Sequence, residues 1–134
     1  MTAIALDLAV LGDTAPLWEA FLVDVSRRAH VDAAQLETEL PNWRALLERF
    51  AEDHAPVYLQ PSAPATAALR RLHAQGVRLG AFTDAPEELA RVAVAHLAGT
   101  RRFEALEAGP GALERLLERL PGARVVRSLA ELDF

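Results

Sequence analysis

Two carboxylates and a hydroxyl stand at positions where an α/β protein does its chemistry. Asp7 closes the apolar run Ala3-Ile4-Ala5-Leu6, and Thr83 with Asp84 closes the run Gly80-Ala81-Phe82. In open parallel sheets, ligands bind outside the carboxyl ends of the strands. An aspartate there can attack phosphorus or carbon to form a covalent intermediate. A threonine hydroxyl beside it, with the N–H groups that open a helix at Asp84, can hold phosphate oxygens. Asp13 is a second acid in the loop after Asp7, able to serve if that loop brings it back toward the first. Two absences oppose this chemistry. Residue 9 is alanine, and no lysine occurs, so all 14 basic residues are arginines.

Each of these residues also has a plainer reading. Asp7 can end a strand in a solvated loop, its carboxylate bonding backbone N–H groups. Asp84 with Glu87 forms a capping-box pattern that accounts for Thr83 and Asp84 without any substrate. His30, His54, His73 and His96 lie in different segments without metal-ligand spacing. Trp18 and Trp43 fall on helical stripes and read as core packing. Gly109-Pro110-Gly111 lacks the strand and lysine of a phosphate loop and reads as a turn.

The elements that must position these groups follow from periodicity. Residues 3–8 read as a strand covered on both faces. Asp13 or Thr14 can cap a helix with Pro16 in its first turn and Leu17, Phe21 and Val25 on one face. Asp32 with Gln35 marks a short helix that must stop by Pro41. Trp43, Leu46, Leu47 and Phe50 mark a third helix. The segment 53–64, with Pro56, Pro61 and Pro64, reads as a connector. Ser62 can cap a helix ending at Gly76, and Val77–Phe82 is a second clear strand. After the helix opened by Asp84 come a weaker strand at Phe103–Leu106 and a stripe at Leu113, Leu116, Leu117 and Leu120. Arg124–Arg127 is a last short strand, and Ser128 with Glu131 can cap a final turn. From Ser62 onward helix and strand alternate, which implies right-handed crossovers and a parallel sheet. The expected architecture is a small α/β Rossmann-like core, residues 1–13 and 59–134, with a helical cap insertion at 14–58.

Composition narrows the function. A chain of 134 residues that is 51% hydrophobic can build one core. A net charge of −5 gives no electrostatic footprint for nucleic acid. Of the Arg-Arg pairs at 27–28, 70–71 and 101–102, two sit on helical stretches beside acidic residues and read as solvated faces. Without cysteine there is neither a disulfide nor a thiolate metal site. No basic n-region opens the chain and no stretch approaches a membrane span, so the expected location is cytoplasmic, with no membrane partner.

Asp7-Leu8-Ala9-Val10-Leu11-Gly12-Asp13-Thr14 resembles the opening motif of the haloacid dehalogenase-like (HAD) superfamily, notably its phosphoglycolate-phosphatase-like branch. The stretch from Leu69 through Gly76 to Thr83-Asp84-Ala85-Pro86 is similar to the family's second motif with its preceding helix. Val125-Val126-Arg127-Ser128-Leu129-Ala130-Glu131-Leu132 resembles the family's usual ending. The resemblance implies Asp7 as nucleophile and Thr83 as the phosphate-binding hydroxyl.

The departures carry the functional expectation. Family phosphatases read Asp-x-Asp-x-Thr, the second Asp being general acid/base and its carbonyl a magnesium ligand. Here that position is Ala9, and general acid/base help is worth about 10²–10⁴ in rate. The Thr of the pattern is Leu11, or Thr14 if the loop has slipped. The third motif's cation is missing at Gly109-Pro110-Gly111-Ala112. The fourth motif's acids are replaced by Arg127-Ser128 or deleted with their strand, and Mg²⁺ demands oxygen ligands. Arg127 either replaces the missing cation or is an ordinary surface arginine. True dehalogenases need neither the second Asp nor magnesium, but they use a lysine that this chain lacks. The expectation is a degenerate HAD-like domain without hydrolase activity, requiring no cofactor. It would be kept for a small phosphorylated ligand or an unknown protein partner, with a homodimer through the cap possible. The alternative is a weak phosphomonoester hydrolase with Asp7 as nucleophile, Asp13 as acid and Mg²⁺ as cofactor.

Overall fold

The computed structural model describes residues 2–99 and 101–132. Met1, Thr100, Asp133 and Phe134, which fall within the expected core segments, lie outside the described residues. A four-stranded parallel sheet is formed by β1 (Ala3–Asp7), β2 (Arg78–Thr83), β3 (Ala105–Ala108) and β4 (Arg124–Val126), in the order β3-β2-β1-β4. The apolar run at 3–6 sits at the centre because both of its edges are hydrogen-bonded, Leu6 lying opposite Ala81 on one side and Val126 on the other.

Side chains alternate between the two faces, as the strand period requires. Ile4, Leu6, Leu79, Ala81 and Val126 point toward helices α1 (Ala15–Ala29), α3 (Trp43–Tyr58), α4 (Ala63–Ala74) and α5 (Glu87–Leu97). Ala3, Ala5 and Phe82 point toward α6 (Ala112–Arg119). Gly80 lets α6 approach closely, since a Cβ there would stand 2.7 Å from the Cδ1 atoms of both Leu116 and Leu120.

The helices between β1 and α4 pack into the larger of these clusters. Leu17, Phe21 and Val25 of α1, Leu36 of α2 (Leu36–Glu39) and Leu47, Ala51 and Ala55 of α3 are buried with Ile4 and Leu6. Phe21 contacts Phe50 with ring centroids 5.7 Å apart, tying α1 to α3.

Two local expectations are corrected, and a third is narrowed to one of its two residues. The third helix does not stop at residue 53: it runs through Pro56 to Tyr58. Proline removes one N–H from the helical ladder, but the buried stripe Leu47, Ala51, Ala55, Leu59 continues past it, and packing outweighs the local signal. The capping box at Asp84 does not form. Helix α5 begins at Glu87, behind Pro86, which holds the N-cap in an extended conformation (φ −57°, ψ 146°). At the start of α1, Thr14 occupies the cap position without a side-chain bond, while Asp13 Oδ1 accepts from the Ala15 N–H at 2.9 Å. Ser62 caps α4 as its sequence indicates, accepting from the Ala65 N–H at 3.3 Å. Among the described residues, no helix is long and apolar enough to cross a membrane.

Candidate functional site

The carboxyl ends of β1 and β2 open side by side. Asp7 lies opposite Phe82 in the ladder, so Thr83 follows directly beyond it on the neighbouring strand. Both residues line a cavity of about 850 Å³, as do Asp13 and Asp84. The four residues singled out from the sequence are thus brought to one place. The cavity floor is the strand ends, and its walls come from the loop after β1, the start of α1, Glu37 of α2, the start of α3, the β2–α5 turn and the loop 108–110.

Both Asp7 oxygens have partners inside the chain. Oδ1 accepts from the Ala9 N–H at 3.0 Å, within a tight turn over Leu8–Val10. Oδ2 accepts from Arg127 Nη1 at 3.4 Å. Residue 127 reaches Asp7 because Val126 pairs with Leu6, placing the end of β4 beside the end of β1. Its guanidinium also lies 5.2 Å from the centroid of the Phe82 ring. Both contacts support Arg127 as a cation beside the carboxylate, although at 58% side-chain exposure the pair contributes little stability.

Thr83 is buried, and its Oγ1 accepts from the Ala85 N–H at 3.2 Å, which shapes the turn ahead of Pro86. Its O–H proton remains available to a ligand oxygen, because that bond uses the oxygen only as acceptor. Asp84 is exposed on the rim.

Three wall residues were not legible as site residues. Arg115 lies one turn into α6 and reaches back to donate to the carbonyls of Ala108 and Pro110 and to Glu107 Oε1 at 2.8 Å. A cation therefore does stand beside the 109–112 segment, but it is committed to organising that loop. Arg44 donates to Glu88 Oε1 at 2.7 Å and stacks 4.5 Å from the Trp43 ring centroid. Glu37 lines the cavity from α2. A charge at helical spacing is no signal for any of them, since only the chain crossover decides which face meets the cleft.

The residues do not fit a magnesium ion. Among the described residues no group of three or more His, Asp or Glu side chains could hold a metal. Ala9 offers no carboxylate, both Asp7 oxygens are engaged, and the end of β4 brings a guanidinium where an acid would be needed.

A strand-ended cleft on a parallel sheet, with helices inserted after the first strand, is the HAD-like, Rossmann-type fold. It is similar to the crystal structure described as a beta-phosphoglucomutase from Thermotoga maritima, with a TM-score of 0.61 and 21% sequence identity over 95% of this chain and 75% of that one. At that identity the likeness concerns the fold. No family model matches the chain, and no curated protein matches it.

Proposed function

We propose that this chain is a member of the HAD superfamily, from its phosphoglycolate-phosphatase-like branch, that has lost hydrolysis and keeps its cleft for a small ligand. The observation that carries this is the set of partners around Asp7, a backbone N–H and Arg127, with a methyl group at position 9. A nucleophilic carboxylate needs a proton donor for the leaving alkoxide, and none is supplied from residue 9. The cavity itself persists at about 850 Å³, within the range that holds small ligands. Thr83 supports the reading, since its buried hydroxyl points to a retained polar contact at the cavity floor. The cap boundaries proposed from the sequence, 14–58, place Trp18, Glu37 and Trp43 as cap-derived walls of that cleft.

One observation favours a second reading, a weak phosphatase: Asp13 lines the same cavity as Asp7 and could act as the acid. Its Oδ1 is held by the Ala15 N–H, which fixes it at the mouth of α1. The readings part on p-nitrophenyl phosphate with magnesium. Wild type and Asp7→Asn should release product at the same background rate. Release that vanishes in Asp7→Asn would establish the phosphatase instead.

A further inference from the structure

Resting on the reading of a retained cleft, we infer that its ligand carries positive charge, as an amine, and that phosphate esters are rejected. The charge lining the cavity is lopsided. Five carboxylates face it, from Asp7, Asp13, Glu37, Asp84 and Glu87, against the guanidiniums of Arg44 and Arg115. Neither guanidinium is left over to balance them. Arg44 is bound by Glu88 and Arg115 by Glu107, carboxylates that do not line the cavity. Arg127 offsets Asp7 alone. Glu37, Asp84 and Glu87 have no ion-pair partner among the described residues.

In this fold a divalent cation would reverse such a field and admit phosphate, but the residues present do not fit one. A dianionic ester would therefore meet an excess of like charge, and a walled cleft focuses that field. The second feature is aromatic and independent of the acids. Trp18, half-buried, and Trp43 both line the cavity, their rings 6.2 Å apart in an edge-on arrangement. Trp43 is only 6% exposed and already has Arg44 over its ring, so Trp18 is the ring left to meet a ligand. Aromatic faces attract cations, tryptophan best of all. The chain already uses this pairing at the wall, where the Arg44 guanidinium sits between the Trp43 ring and Glu88. Carboxylates and indoles around one hollow fit an ammonium group on a small organic body.

The chain's 2 tryptophans both border the cavity, so their fluorescence reports its occupation. Three probes of similar size separate charge from ring: benzylamine, benzyl alcohol and phenyl phosphate, the last with and without magnesium. Benzylamine should perturb the emission saturably, with an affinity that falls as salt is raised. Benzyl alcohol should bind more weakly, and phenyl phosphate should have no effect in either condition. Glu37→Gln and Asp84→Asn should each weaken benzylamine about two- to fivefold, the scale of exposed charge pairs. Glu118→Gln on α6 should leave it unchanged, which separates the cleft from general attraction to an acidic protein. Equal binding of amine and alcohol, equal weakening by Glu118→Gln, or no response to benzylamine would each overturn the inference. Binding of phenyl phosphate in preference to benzylamine would overturn it while leaving the small-ligand reading intact. Asp7-dependent hydrolysis would instead overturn that reading itself.

Discussion

One face of the sheet carries the helices α1 to α5 over Ile4, Leu6 and Leu79; the other carries α6 alone, over Ala3, Ala5, Gly80 and one large side chain, Phe82. On the first, Ile4, Leu6 and Leu79 meet Leu17, Phe21, Leu47 and Leu69, all essentially excluded from water. On the second, Ala3, Ala5 and Gly80 lie under Leu116 and Leu120 of α6. The difference separates two tasks. The thick face unites the inserted helices with the sheet, so the cleft walls from residues 15–58 are held by the same cluster that holds its floor. The thin face brings α6 close to the strands, and with it the loop 108–110 that closes the opposite wall.

The contrast can be broken most severely from the thick side. Leu47→Ala should cost about 2–5 kcal/mol, the range for emptying a buried leucine site. Its thermal unfolding should remain one transition by circular dichroism. Two separated transitions would show that the helices of residues 15–58 form their own folding unit.

On the thin side the sensitive change is an addition. Gly80→Val should cost about 1–3 kcal/mol by overpacking, because Leu116 and Leu120 stand where its side chain must go. A denaturant midpoint equal to wild type would mean that α6 is free to move outward.

Also on the thick side, where α3 meets α5, Arg44→Ala removes the partner of Glu88, a carboxylate whose side chain is only 11% exposed. The expected loss is about 1–3 kcal/mol, the cost of leaving a buried polar group unsatisfied. Restoration in the double variant Arg44→Ala/Glu88→Gln would confirm that the unpaired charge is responsible.

The loop wall on the thin side should respond to acid. Hydrogen bonds from Arg115 and then Arg119 hold the Glu107 carboxyl below its ordinary value of 4.5. The folded chain therefore takes up that proton at lower pH than the unfolded chain. The contribution is present above the unfolded value and fades as pH falls through the folded one. Glu107→Gln should flatten the acid limb of the stability curve below about pH 5. A limb unchanged in chemical denaturation between pH 3 and 6 would remove Glu107 from the account.

The smallest effect is expected at Asp7. Asp7→Asn should change stability by less than about 0.5 kcal/mol, because the Arg127 pair is solvent-exposed and such pairs contribute little.

Much of this arrangement was legible in the residues. Asp7, Thr83 and Asp84 announced themselves because an apolar run that stops at a polar residue marks a strand end. Leu17, Phe21 and Val25 gave α1 by spacing, and Ser62 gave the start of α4. Pro56 misled because a proline is a loud local signal, whereas Ala51 and Ala55 continue the buried stripe with little hydropathic contrast. Asp84 and Glu87 matched a capping pattern that Pro86 overrides. The walls were the hidden part. Glu37, Arg44 and Arg115 face the cleft only because distant segments pack together. The contact between Arg127 and Asp7 joins residues at opposite ends of the chain, with nothing local to announce it.

The central place of β1 has a consequence for biosynthesis. Its hydrogen-bonding partners are β2 and β4, so β1, synthesised before both, waits for residues 78–83 on one edge and 124–126 on the other. Pairings this distant in sequence close late and slow the search for the native state. Until then the nascent chain exposes a bare apolar ribbon, Ala3-Ile4-Ala5-Leu6, of the kind that chaperones shield from aggregation.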